Sequence, residues 1–149
     1  MIKIIDISNS KHAEDVLHIQ IPSYMVEAEI IGSYDLPPLK DTVYTLQHCE
    51  ESFIGYYEKE ELCGAISIKV VDDAVDIHRL IVHPNHFRKG IAQILFNFIE
   101  SKFRGKTIKV ATGSKNAPAV SFYKKNGFQN IKETKVNEQL SLTFFEKKL

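Results

Sequence analysis

Residues 83–100 read HPNHFRKGIAQILFNFIE, and how this stretch is read decides the fold. Ile91, Ile94, Leu95, Phe98 and Ile99 recur at helical spacing, so a helix from about Gly90 onward turns one face into a core. Its start is unusual. The first turn of a helix carries unpaired N–H groups and partial positive charge, which favours Asp or Glu, yet Arg88 and Lys89 stand here. A bound phosphate would resolve the conflict by accepting from those amides and offsetting both cations, and Gly90 would admit it close to the backbone. The competing reading sends both cations into water and leaves Gly90 only to ease the turn. The surrounding chain has to separate the two.

Upstream, FIGYYE, LCGAISIKVV and AVDIHRLIV read as three strands joined by short charged turns, an antiparallel meander over residues 53–82. Further upstream, IKIIDI (2–7) reads as a strand and Ser10 as the cap of a helix with Val16 and Leu17 inward. A second helical piece is expected over YMVEAEII, and GSYDLPPLKDT, with Pro37 and Pro38, as a surface loop. Downstream of the opening stretch, TIKVAT reads as a buried strand. A strand, a helix and a strand in succession require a crossover, so these strands are parallel neighbours. A shorter helix follows, with Asn116 as cap, Pro118 in the first turn and Gly127 as the left-handed stop. QLSLTFFEKKL closes the chain as a terminal strand. The expected order is β-α-α-β-β-β-α-β-α-β, a mixed, mostly antiparallel sheet covered by helices in an α/β (α+β) layer fold.

The chain has 149 residues, 44% of them hydrophobic, enough for one compact domain over residues 1–149. Nineteen basic and nineteen acidic residues give zero formal charge, so the overall field makes no case for nucleic acid or an anionic membrane. No apolar run approaches the ~18 residues of a spanning helix, and MIKIIDISNSK lacks a signal-peptide pattern, so a cytoplasmic protein is expected. Cys49 and Cys63 fit no zinc or redox spacing and read as reduced thiols.

The order of elements resembles that of the GNAT superfamily of N-acetyltransferases, and two motifs carry the resemblance. RLIVHPNHFRKGIAQIL is similar to the family's acetyl-CoA signature, Q/R-x-x-G-x-G/A at the head of a helix. NAPAVSFYKKNGF is similar to a second block, N-x-x-A-x-x-F-Y-x-x-x-G-F. The resemblance covers nearly the whole chain, although residues 20–50 match nothing diagnostic. It departs from the family at Phe87, which stands where Gln or Arg is usual and removes one side-chain contact. On this resemblance Arg88, Lys89, Gly90, Ile91 and Ala92 would hold the pyrophosphate, with both cations facing it. The backbone of Leu80, Ile81 and Val82 would pair with the pantetheine arm.

The resemblance implies that acetyl-CoA and a primary amine, on a small molecule or a protein, bind together and that the amine attacks the thioester directly. Alkyl amines with a pKa of ~10 are mostly protonated at neutral pH, so a base or water chain must act, and the leaving thiolate gains from an acid. The family motif places Tyr123 as that acid, against the alternative of an aromatic packed beside Phe122. Asn116 is either simply a helix cap or also a pantetheine contact. For the base, strict alternation along AVDIHRLIV puts Asp76, His78, Leu80 and Val82 on one face and Ile77, Arg79 and Ile81 on the other. Asp76 and His78 are the candidates, and His78 titrates nearer neutrality; each is equally readable as a solvated strand residue. The early helices would supply the acceptor surface, with Tyr24, Glu27, Glu29 and Tyr34 as candidates, although Glu27 and Glu29 fall on different helix faces. His78, His83 and His86 lack convincing ligand spacing, and no metal is expected. A non-catalytic acyl-CoA-binding or sensing module is the alternative to an enzyme. Both a monomer and a homodimer are open, the latter with the apolar terminal strand pairing between subunits.

Overall fold

A computed structural model describes all residues, 1–149. Strand β1 (Ile2–Ile5) leads into helix α1 (Ser10–Ile31), and a 3-10 turn (Pro37–Lys40) and short helix α2 (Val43–Gln47) follow. The meander is β2 (Ser52–Glu58), β3 (Glu61–Val71) and β4 (Ala74–Val82), and a 3-10 turn (Pro84–His86) then leads to α3 (Ile91–Lys102). The chain ends with β5 (Thr107–Gly113), α4 (Ala117–Lys125), β6 (Gln129–Lys135) and β7 (Ser141–Lys148). The fold is the expected mixed α/β architecture, a seven-stranded sheet in the order β1-β2-β3-β4-β5-β7-β6. Only β4 and β5 pair in parallel.

Helices cover both faces of the sheet. On one, Val16 and Ile19 of α1 and Leu46 of α2 pack with Phe53, Ala65 and Ile81 of the strands. On the other, Ile91, Leu95, Phe96 and Ile99 of α3 and Tyr123 of α4 pack over Ile66, Ile77, Ile108 and Phe145. No helix is long and apolar enough to cross a membrane.

The caps explain the helix boundaries. Asn9 accepts from the N–H groups of Lys11 and His12 at 2.9 and 3.2 Å, so the cap of α1 lies one residue before the expected Ser10. Gly32 ends α1 at φ 82°. Asn116 accepts from Ala119 N–H at 3.3 Å, Pro118 stands in the first turn of α4, and Gly127 takes φ 88° after it.

Four expectations are corrected. The two early helical pieces are one helix of 22 residues that runs through Pro22, because Val16, Ile19, Ala28 and Ile31 keep a single buried face across it. The second helix of that region is α2, inside the stretch after the proline loop. Strand β6 was not expected, since QNIKETK is exposed along its whole length and shows no apolar alternation. The terminal strand β7 lies between β5 and β6 with both edges paired, so it is not free to pair with another subunit. Finally, Ser67 pairs with Arg79 but Ile68 with Ile77, which leaves His78 bulged out of the β3–β4 ladder. The bulge reverses the alternation. Ile77, Leu80 and Val82 face α3, and Arg79 and Ile81 face α1.

Candidate active site

Beyond the pair Ile77–Val110, β4 and β5 stop pairing, although β4 continues to Val82 and β5 to Gly113. The gap between them opens into two cavities. The smaller, about 440 Å³, lies among Tyr24, the Asp35–Pro38 loop, His78, Arg79, the end of β5 and the β6–β7 turn. The larger, about 710 Å³, runs from Ser23 and Val26 past Val82 to Phe87, Arg88 and the first residues of α3. Glu27, Leu80, Asn116, Ala119 and Tyr123 line both.

The far end of the larger cavity is formed by the turn into α3. Arg88 at φ 64° and Gly90 at φ 76° turn the chain into α3, whose first bond runs from Ile94 N–H to Gly90 O at 3.0 Å. The amides of Ile91, Ala92 and Gln93 precede that bond and so have no partner within the helix, and all three residues line the end of the cavity. A Cβ at Gly90 would meet no atom within 4 Å, so its lack of a side chain serves conformation and approach rather than packing. Phe87 and Arg88 line this cavity. Lys89 does not: its ammonium lies 2.8 Å from His86 Nδ1 and 3.4 Å from Glu58 Oε1, so of the two cations expected at this end only Arg88 lines it.

At the shared wall, burial pushes the Glu27 carboxyl up, and Asn116 beside it partly offsets this. Burial, and then the charge of Glu27, push the hydroxyls of Tyr24 and Tyr123 well above their ordinary range. Tyr123 owes its burial to Phe122, Phe128 and Phe145, with ring centroids at 5.3, 5.3 and 5.8 Å. It is therefore both a core aromatic and part of the cavity wall, and Asn116 is likewise both a helix cap and a wall residue.

The remaining candidates separate. His78 lines the smaller cavity, half exposed, with Nδ1 3.6 Å from Glu51 Oε2. Asp76 lines neither cavity, because the bulge puts it on the α1 face one residue before Ile77, the last to pair with β5. The Ile81 side chain is 2% exposed and packs with α1, so of the triplet 80–82 only Leu80 and Val82 present side chains to the cavities. Tyr34 is 56% exposed outside both cavities, and Glu29 is exposed on the outer face of α1.

Sequence reasoning missed the network behind the smaller cavity. Arg79 binds Asp41 at 2.9 Å through Nη2 and Glu51 through Nη1. Gln20 donates to Asp41 at 2.8 Å and to Pro38 O at 2.9 Å, and Ser67 donates to Glu51 at 2.7 Å. A charged residue within the apolar run DIHRLIV was the one local hint, and its partners lie 38 and 28 residues away.

A family model described as "Acetyltransferase (GNAT) family" matches residues 13–128. The chain is 38% identical over 146 residues to the UPF0157 protein YqkA of Bacillus subtilis (strain 168), covering 97% of this chain and 43% of that protein. It is 27% identical over 94 residues to a spermidine N(1)-acetyltransferase of Thermoplasma acidophilum, covering 61% of this chain and 58% of that one. The chain thus spans about half the length of these curated relatives. Its fold matches that of the PaiA N-acetyltransferase of Thermoplasma acidophilum, solved in complex with coenzyme A, with a TM-score of 0.67 at 20% identity over 100% of this chain and 99% of that one.

Proposed function

Because the chain belongs to the acetyltransferase (GNAT) family, we propose that it moves acetyl from acetyl-CoA to a primary amine by direct attack within a ternary complex. The observation that carries this reading is the wall common to the two cavities, where Glu27, Leu80, Asn116 and Tyr123 stand between the end at the head of α3 and the smaller cavity. The pyrophosphate would rest on the first amides of α3 with Arg88 beside it, and the thioester would reach the shared wall between the parted strands. The coenzyme A in the PaiA structure supports the same ligand here. The amine would enter through the smaller cavity, where Asp35 is paired with Lys40 at 2.7 Å and Arg79 with its own carboxylates, which leaves Glu27 as the lining carboxyl without an ion-pair partner to receive it. The spermidine acetyltransferase relative acts, by its name, on a polyamine, an acceptor of the same class.

In this reading the arriving ammonium gives one proton to Glu27, whose carboxyl burial has moved toward neutrality. The nitrogen attacks the carbonyl, the C–N bond forms, and the C–S bond breaks. The departing thiolate takes the Tyr123 proton, and the nitrogen's surplus proton restores Tyr123. Glu27 releases its proton to solvent, so the products are the amide, the coenzyme thiol and one proton. His78 faces the smaller cavity only, where it would contact the acceptor rather than the thioester.

Calorimetric titration with acetyl-CoA, paired with a thiol-release assay over a panel of primary amines, tests the proposal. Wild type should bind and turn over. Gly90→Glu, whose side chain meets no atom but is strained by φ 76°, is checked for folding by circular dichroism and should bind at least about tenfold more weakly through the carboxylate it sets in the anion end. Tyr123→Phe should keep its affinity and lose about a hundredfold in turnover. Binding with no thiol released on any amine would favour the sensing module, and no binding by folded wild type would overturn both.

A further inference from the structure

The β2–β3 hairpin brings a second set of chemically versatile side chains against the loop that precedes α3. Glu58 ends β2, Cys63 is the extra residue of a bulge in β3, and His86 ends the 3-10 turn. His83 N–H donates to Cys63 O at 2.9 Å and fastens loop to hairpin. One donor atom from each of Glu58, Cys63 and His86 lies within 4.8 Å of the others. A cation already stands against two of its members. The Lys89 ammonium stands 2.8 Å from His86 Nδ1 and 3.4 Å from Glu58 Oε1, drawn out of the anion-binding end.

We infer that Glu58, Cys63 and His86 form a zinc(II) site in which the metal takes the place held by the Lys89 ammonium. The ligand set, one thiolate, one imidazole and one carboxylate, suits zinc, and water would complete a tetrahedron. Tetrahedral zinc holds such atoms about 3.5 Å apart, so the group needs to contract by roughly 1 Å. Glu58 Oε1 and His86 Nδ1 are 3.6 Å apart already. Glu61 Oε1 lies 3.8 Å from His86 Nε2, and a closer approach would orient the ring with Nδ1 toward the metal. On binding, the Cys63 S–H bond breaks, its proton goes to solvent, a Zn–S bond forms and Lys89 is released. Local charge balances: Glu58, Glu61 and Lys89 sum to one negative charge, as do Glu58, Glu61, the thiolate and zinc once Lys89 has left. The spacing of histidines and cysteines along the chain does not show this set, because the hairpin assembles it.

The test uses metal-free protein titrated with zinc chloride against a chromophoric chelator, with released protons followed in weak buffer. Wild type and Cys49→Ser should bind one zinc with one proton released. Cys63→Ser and His86→Gln, checked for folding by circular dichroism, should bind at least about tenfold more weakly. Lys89→Ala, which keeps all three ligands and removes the ammonium now bound to His86 and Glu58, should bind more tightly because the competing cation is gone. Cobalt(II) should give a thiolate charge-transfer band in wild type that Cys63→Ser lacks. Equal affinity across all the variants, no proton release, or no binding by wild type would overturn the site.

Discussion

Glu27 stands where a carboxylate costs stability and where the proposed reaction needs one. Burial raises its folded-state pKa above the unfolded value, so the folded chain holds that proton to higher pH. The cost is absent below the unfolded pKa and complete once pH has risen through the folded one. Glu27→Gln should therefore melt about 2–4 °C higher than wild type at pH 7, equivalent to ~1 kcal/mol, with the gain fading as pH falls toward 4. Its turnover should fall at the same time. Arg79 behaves in the opposite sense. Arg79→Ala would strand Asp41 and Glu51, whose side chains are 15% and 7% exposed, and should lose about 3–5 kcal/mol in denaturant titration. These two residues mark the limit of what the sequence discloses. Gly90, Asn116 and Gly127 were legible because each sits in a short motif whose local geometry demands it, and Tyr123 only through the family resemblance. Arg79 was not, since its face depends on the bulge at His78, and that bulge depends on pairing with a different strand.

Among the elements, α3 and β3 are joined at a point of contact that transmits fold to site. A Cβ on Gly64 would lie 2.8 Å from Ile91 Cγ2 and 3.0 Å from Ile81 O, the latter an immovable backbone atom. Gly64→Ala should cost about 1–3 kcal/mol in denaturant titration and, by shifting the first residue of α3, weaken acetyl-CoA binding in calorimetry. Gly105→Ala, at φ 85° with nothing within 4 Å, should lose only ~1 kcal/mol and leave that binding unchanged. Element boundaries were legible where apolar period and caps agree, as in α3, α4 and the meander. They failed at α1, where packing carries the helix through Pro22, and at β6, an edge strand with no buried face to write a pattern.

At the scale of the whole molecule, the sheet consists of β1–β4 and β5–β7–β6, joined by four residue pairs from Ala74–Thr107 to Ile77–Val110. A ligand lying between the parted ends of β4 and β5 would contact both halves. Acetyl-CoA at a hundred times its Kd should stabilise the fold by about 2.7 kcal/mol, seen as a Tm rise of ~5–10 °C. Hydrogen exchange should slow in residues 80–82 and 111–113 together, and slowing confined to one strand would count against a bridging position. Overall layer order and the crossover were legible from the succession of strands and helices. The length of the β4–β5 pairing was not, because no residue type encodes where two parallel strands part. That short join has a mechanical consequence. A sheet with four rungs at its middle is a plank sawn halfway through, and a load that pulls β1 from β6 should open it at the cut, with the coenzyme as the splice that resists.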